Sequence, residues 1–101
     1  MVKRKVIWHP RAQKAYFRLI NWYLFNVGQQ FVNTINDNMG KTIELVSKSP
    51  SVGKLIKKSN EKTYRSILTH KKTRIIYWYN KDSVHIVRLI MNTMDNKGSQ
   101  S

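Results

Sequence analysis

Apolar residues in the N-terminal half recur with two different periods, and each period predicts an element. Residues Lys3–Trp8 end in Val6-Ile7-Trp8, whose β-branched and aromatic side chains are typical of a strand. Pro10 follows, and proline favours the first position of a helix because its missing amide donor costs nothing there. From Pro10 to Phe25 apolar residues recur every three or four positions, which predicts an amphipathic helix. Its stripe contains Ala12, Ala15, Tyr16, Leu19, Ile20 and Tyr23.

A second helical period runs from about Gln29 to Lys48, after Gly28 has interrupted the first. Gly28 can adopt the left-handed conformation that commonly ends a helix. Because the link is short and both helices are amphipathic, we expect an antiparallel helix hairpin. The second apolar stripe contains Phe31, Ile35, Met39, Ile43 and Val46.

Beyond the turn cluster Ser49–Gly53 the period becomes strand-like. Lys54–Lys58 is predicted to be a short, basic edge strand. Runs rich in Ile, Val, Tyr and Trp, joined by short polar links, then predict an antiparallel meander. These runs are Thr63–Thr69, Arg74–Tyr79 and Val84–Met91.

This element order predicts an α+β fold: an N-terminal strand, an antiparallel helix hairpin, and then three or four antiparallel strands. A chain of 101 residues suits one domain, which we place at residues 1–91, with a polar tail at 92–101 that a partner would have to order. The helix hairpin should cover one face of the sheet, because every element has an apolar side to bury. The other face should then stay open, at least in part.

Charge is the strongest feature of the composition. The chain has 19 Lys and Arg against 5 Asp and Glu, a formal net charge of +14. Solubility alone needs a magnitude of only about 2–8, and self-repulsion at higher charge opposes compactness. We therefore expect a partner that is a polyanion or an acidic protein.

Several function classes are disfavoured by the residues that the chain lacks. It has no cysteine, which excludes disulfides and thiolate metal sites. Its three histidines are far apart, its acids show no ligand spacing, and no Gly-rich phosphate loop occurs, so we expect no metal and no cofactor. No segment approaches the roughly 20 apolar residues of a membrane span, and no signal peptide is evident, so we expect no membrane association.

Four motifs recur along nearly the whole chain. They are the opening strand and helix entry Val6–Ala12, the Pro-x-x-Gly turn in Ser49–Gly53, the hairpin Tyr64–Ile67 with Arg74–Tyr77, and the last strand Val84–Ile90 with its polar end Asn92–Asn96. Each motif is weak alone, but together, in this order and at this spacing, they resemble the RelE/ParE toxin family of type II toxin–antitoxin systems.

The resemblance implies a RelE/ParE-like fold and a growth-inhibiting bacterial toxin of the cytoplasm, held by an acidic antitoxin in a hetero-oligomer. It does not decide the target. Members similar to ParE inhibit DNA gyrase, whereas members similar to RelE cleave messenger RNA in the ribosomal A site. We expect a ParE-like gyrase poison; the alternatives are a RelE-like endoribonuclease and a stand-alone nucleic-acid-binding module.

The nuclease alternative needs groups that this chain largely lacks. RelE-like members are thought to use Lys and Arg on the sheet and a Tyr near the C-terminus. Arg65 and Arg74 stand at two of the basic positions, but Ile67 and Met94 replace a Lys and an Arg, and no Tyr follows Tyr79. Because each lost acid–base step costs roughly 10²–10⁴-fold in rate, we expect a non-enzymatic toxin.

The candidate catalytic residues are Arg65, Arg74 and His85, since histidine titrates near neutrality. Arg65 and Arg74 share a face if Leu68 pairs with Thr73, and a one-residue slip would separate them. We expect the first register, because it sends Ile75, Tyr77, Val84, Ile86 and Ile90 towards the helices. The residues predicted to bind the target on the open face are Arg65, Arg74, Lys71, Lys72, Trp78 and Arg88.

A second candidate surface lies on the outer side of the first helix. Arg11, Lys14 and Arg18 recur at helical spacing there, and Trp22 lies off the apolar stripe. The plain interpretation is a solvated face with Trp22 on the flank of the hairpin. The functional interpretation is an antitoxin-binding face, where these cations meet an acidic partner and Trp22 anchors it.

Overall fold

The computed structural model describes residues 3–70 and 73–91. It confirms the predicted order of strand, helix hairpin and antiparallel strands. The predicted tail at 92–101 and the loop residues Lys71 and Lys72 lie outside the described residues. The elements are β1 (Lys5–Trp8), α1 (Pro10–Asn26), α2 (Gln29–Lys48), a 3₁₀ turn (Pro50–Val52), β2 (Lys54–Ser59), β3 (Lys62–His70), β4 (Thr73–Tyr79) and β5 (Ser83–Met91).

Gly28 ends α1 and begins α2, as its position predicted. The amide groups of Val27 and Gly28 both donate to the Tyr23 carbonyl, at 2.8 and 2.9 Å. Gly28 then has a φ of 136°, which a residue with a side chain rarely adopts. The chain therefore reverses within two residues, and α2 returns along α1. Within the described residues, neither helix is long and apolar enough to cross a membrane.

The strands form one five-stranded sheet in the order β1-β5-β4-β3-β2. β2 to β5 pair antiparallel, whereas β1 pairs parallel to β5, with Val6 beside Val84 and Trp8 beside Ile86. A parallel neighbour requires a long crossover, and the helix hairpin with the later strands supplies it. β1 is thus placed beside β5, although the two strands are far apart in sequence.

The core lies between the helix hairpin and one face of the sheet. Ile75 and Tyr77 of β4 and Val84 and Ile86 of β5 are fully buried there, as predicted. Each such side chain contributes roughly 1.5–3 kcal/mol by leaving water. The helices contribute the buried residues Ala12, Leu19, Val32, Ile35, Met39 and Val46.

The predicted β3–β4 register was wrong by one residue. Leu68 pairs with Arg74 rather than Thr73, and Arg65 pairs with Tyr77. This register pairs Ile67 with Ile75 on the helix side, while a bulge near Thr69 absorbs the extra residue before the turn. Arg65 and Arg74 therefore lie on opposite faces of the sheet.

Ile90 was also placed on the wrong face. β5 pairs Arg88 with Ile76 but Ile86 with Tyr77, so Val87 is an extra, bulged residue. A bulge reverses the alternation of every later side chain, which turns Leu89 towards the core and Ile90 towards the open face beside Arg74.

Arg65 lies on the helix side of the sheet and not on the open face. There Arg65 and the buried Tyr77 hydrogen-bond to the turn Pro50–Gly53, and these two residues with the turn form the clamp. The Arg65 Nη1 donates to the carbonyl of Gly53 at 2.9 Å and, more weakly, to that of Ser51 at 3.3 Å. The Tyr77 hydroxyl donates to the Pro50 carbonyl at 2.7 Å and accepts from the Gly53 amide at 2.9 Å. The clamp therefore sets where β2 begins.

Candidate functional site

The open face of the sheet carries a groove of 460 Å³ with an apolar floor and a cationic rim. Basic side chains reach it from β1–α1, β2 and β5, and no Asp or Glu is among the described residues that line it. An anionic ligand would therefore meet unneutralised positive charge there. The lining residues are His9, Arg11, Ile56, Lys57, Ser59, Tyr64, Ile76, Val87 and Arg88.

Each wall of the groove depends on a specific backbone feature. The amide of His9 donates to the Ile86 carbonyl at 2.9 Å, which holds the β1–α1 junction, and with it Arg11, beside β5. The β5 bulge at Val87 places the exposed Arg88 next to Ile76. On the opposite wall, the first residue after the irregularity in β2 is Lys57, which pairs with Tyr64.

An aromatic stack extends the open face beyond the groove. Trp78 and His85 are paired across β4 and β5, and their rings lie parallel with centroids 4.0 Å apart. The Lys62 ammonium lies 4.9 Å from the centre of the Trp78 ring, within cation–π distance. Flat rings beside cations are also what a nucleic-acid base and its phosphate require.

His85 has the environment of a histidine that stays neutral. Partial burial lowers its pKa below the ordinary value, and the nearby charges of His9 and Lys62 lower it further. The His9 and His85 rings are 6.3 Å apart. The His85 Nε2 lies 2.9 Å from the Ser83 hydroxyl, so one nitrogen of that ring already has a hydrogen-bond partner within the protein.

Arg74 lies on the open face, two residues along β4 from the groove residue Ile76. Its Nη1 is 3.4 Å from the Ser66 hydroxyl, which is a weak hydrogen bond. Trp78 lies two residues beyond Ile76 in the other direction. At about 3.3 Å per residue, Arg74 and Trp78 are about 13 Å apart along the strand, on either side of Ile76.

The outer face of α1 forms a second, separate basic surface. Arg11, Lys14 and Arg18, with Pro10, line a groove of 380 Å³. Trp22 and Phe25 continue the same helical row and are 50% and 86% exposed. Together these five residues form the α1 row: Arg11, Lys14, Arg18, Trp22 and Phe25.

Comparison with known proteins identifies the family. A sequence model described as "ParE toxin of type II toxin-antitoxin system, parDE" matches residues 6–95, nearly the whole chain. The chain belongs to the ParE toxin family. A search of curated protein sequences found no significant match.

Solved structures place this ParE-family chain in the same fold class. The chromosomal ParDE toxin–antitoxin system from P. aeruginosa has a TM-score of 0.69 and 10% identity, covering 88% of this chain and 96% of that one. The YoeB dimer from Staphylococcus aureus has a TM-score of 0.55 and 14% identity, covering 86% and 94%. At these identities the likeness concerns the fold alone.

Within this ParE-family fold, the residues predicted for the target surface divide into three groups. Arg74, Trp78, His85 and Arg88 lie on the open face, Arg65 belongs to the clamp, and Lys71 and Lys72 lie outside the described residues. No described group of three or more His, Asp or Glu is arranged to hold a metal ion.

Sequence reasoning missed the contribution of the β1–α1 junction to this face. It gave His9 no role and assigned Arg11 to the antitoxin surface alone, although both line the open-face groove. It also did not assign Lys57, Lys62 or Tyr64 to the target surface. The aromatic-basic composition of Lys57 to Tyr64 was a signal for these three, but His9 and Arg11 join the groove only through the pairing of β1 with β5.

Proposed function

We propose that this chain is the toxin of a type II toxin–antitoxin module and acts as a ParE-like poison of DNA gyrase, neutralised by an acidic antitoxin in the bacterial cytoplasm. The observation that carries the proposal is the ParE family match over residues 6–95. The open-face groove supplies a suitable contact surface, because a gyrase complex presents DNA phosphates as well as protein.

The chemistry of the open face favours binding over catalysis. Attack by a 2′-hydroxyl needs a group that removes a proton, one that donates a proton, and positive charge on the phosphorane. The groove has the charge in Arg11, Lys57 and Arg88. Arg65, one of the predicted catalytic groups, is already bonded to backbone carbonyls in the clamp.

The proposed antitoxin contact is the α1 row. An acidic segment would neutralise Arg11, Lys14 and Arg18, and the exposed rings of Trp22 and Phe25 are suited to anchor its apolar residues. With a net charge of +14, attraction to an acidic partner is also long-ranged and steers association.

The gyrase proposal is tested with purified toxin and purified bacterial DNA gyrase. We expect supercoiling to be inhibited, cleaved DNA–gyrase complexes to accumulate, and cells that express the toxin to show an SOS response. Arg88→Ala should weaken inhibition about two- to fivefold, as expected for an exposed charge contact. Lys41→Ala, which removes an exposed charge from α2, is the matched control.

The gyrase proposal is wrong if supercoiling is unaffected at toxin concentrations that arrest growth. Breaks in the messenger RNA of ribosomal A sites under those conditions would instead identify the second candidate function.

That second candidate is a RelE-like, ribosome-dependent endoribonuclease, and the observation in its favour is His85. Its lowered pKa favours the neutral ring, the form that can accept a proton, beside a cationic groove. The Ser83 hydroxyl also lies 3.2 Å from Asn80 Oδ1. When the Ser83 hydroxyl donates to Asn80 Oδ1, it accepts from His85 Nε2, and His85 Nδ1 remains as the proton acceptor. His85→Ala should then abolish cleavage of ribosome-bound message while growth arrest by any gyrase route persists.

A further inference from the structure

Arg11 lines both basic surfaces of this protein. It borders the open-face groove together with His9, Lys57 and Arg88, and it borders the α1 groove together with Lys14 and Arg18. Lys14 and Arg18 border only the second groove, and Arg88 borders only the first. Arg11 is thus the residue through which the two grooves meet, at the first turn of α1.

One guanidinium cannot serve two anionic ligands at full strength. Its donors form a single planar fork that grips one carboxylate or one phosphate in bidentate fashion. The backbone of Arg11 is fixed in the first turn of α1, and its exposed side chain borders both grooves. A ligand that occupies this fork from one groove therefore removes it from the other.

We propose that Arg11 makes the two surfaces compete: an acidic segment of a partner protein, docked on the α1 row, takes the arginine away from a polynucleotide phosphate chain in the open-face groove. The proposal rests on the proposed function for the identity of both ligands. It adds the mechanism by which the partner inhibits the toxin: one shared side chain, rather than coverage of the whole open face.

The α1 row also sets the form of the partner segment. Arg11 and Trp22 are 11 positions apart, or about 16 Å at 1.5 Å per residue, and Phe25 extends the row to about 21 Å. A helical segment of four turns spans that length, with apolar residues over Trp22 and Phe25 and acidic residues over the cations. Docking in this orientation brings the acidic end to Arg11 and the mouth of the other groove.

The test uses two labelled probes and the full chain at about 150 mM salt, where long-range attraction is screened. One probe is a 16-residue amphipathic peptide with Glu on one end of its polar face, and its control has Gln in place of Glu. The other probe is a 12-nucleotide single strand, made as DNA and as RNA. Fluorescence anisotropy gives the Kd of each probe, alone and with the other probe at saturation.

We expect the saturating Glu peptide to raise the Kd of the oligonucleotide about two- to fivefold, the contribution of one charge contact, and the oligonucleotide to raise the Kd of the peptide by the same factor, because coupling between binding sites is reciprocal. The Gln peptide should have little effect. Competition with either nucleic acid supports the shared residue, and the tighter strand shows whether DNA or RNA is the source of the phosphates.

Single variants separate Arg11 from general charge. Arg11→Ala should weaken each probe about two- to fivefold and remove the coupling, so that the Kd of each probe is the same with and without the other probe. Lys14→Ala should weaken the peptide only, and Arg88→Ala the oligonucleotide only. Lys41→Ala has the same net charge as Arg11→Ala and should retain the full coupling.

The proposal is overturned if both probes bind together without affecting one another, or if Arg11→Ala leaves the coupling at its original size. It is also overturned if Arg11→Ala affects one probe alone. These outcomes do not depend on gyrase: a toxin that spares gyrase but shows the coupling refutes the gyrase target and leaves the shared arginine in place.

Discussion

Tyr77→Phe tests the clamp that connects α2 to the sheet. The change removes one oxygen atom from a fully buried ring and leaves the packing volume nearly unchanged. That oxygen donates to the Pro50 carbonyl at 2.7 Å and accepts from the Gly53 amide at 2.9 Å. Both Pro50 and Gly53 are buried, so two backbone groups would lose their partner in a place that water reaches poorly.

The expected loss of stability follows from these two groups. A buried polar group left without a partner costs about 1–3 kcal/mol, and partial relaxation of the turn reduces the sum, so we expect a loss of about 2–4 kcal/mol. The measurement is urea unfolding followed by circular dichroism. With a slope of about 1–2 kcal/mol per molar urea, the midpoint should fall by about 1 M or more while the slope stays constant.

Tyr79→Phe is the matched control on the same strand. None of the hydrogen bonds described in residues 3–70 and 73–91 uses the Tyr79 hydroxyl, and its ring keeps the cation contact with Arg4, at 5.5 Å. Its stability should stay within about 0.5 kcal/mol of the original chain. Equal stability of the two variants would refute the clamp as a source of stability.

Three further predictions concern the clamp and the open face. Gly53→Ala should destabilise strongly by the same urea assay, because a Cβ there would collide with the Tyr77 hydroxyl and come within 3.0 Å of the Ser66 carbonyl; a stability equal to the original would contradict this. Arg65→Ala should lower the urea midpoint and leave oligonucleotide binding, measured by anisotropy, unchanged. Arg74→Ala should weaken oligonucleotide binding and leave the midpoint unchanged; a loss of binding in both variants would contradict the placement of the two arginines on opposite faces. The His85 pKa is lowered in the folded chain, so its contribution to stability should be complete above the ordinary histidine pKa of about 6.5 and decline as the pH falls through it, because the unfolded chain takes up the proton first. His85→Gln should flatten this decline in urea midpoints measured from pH 8 to 5, and an unchanged slope would show that the lowered pKa has no such consequence.

Short-range pattern was sufficient for the elements and for much of the core. The stripes of α1 and α2 predicted Ala12, Leu19, Ile35, Met39 and Val46, and all are buried. A helix or strand beside a core must repeat its apolar residues with its own geometric period, so the period is visible in the sequence without knowledge of what packs against it. The alternation along β4 placed Ile75 and Tyr77 inside and Arg74 and Trp78 outside for the same reason.

Strand register and the make-up of the candidate site were decided by the tertiary structure. The bulge near Thr69 shifts the pairing of β3 with β4 by one residue, which places Arg65 on the helix side. The extra residue at Val87 exchanges the faces of the β5 side chains after it, which places Ile90 on the open face. Local sequence does not specify a bulge, since its position depends on which distant residues fill the core. His9 and Arg11 joined the open-face groove because β1 pairs with a strand more than 70 residues away. The amino-acid sequence by itself therefore determined the helices and strands, the net charge and the family resemblance. Only the pairing of the strands in the folded sheet decided which cationic side chains line the same groove.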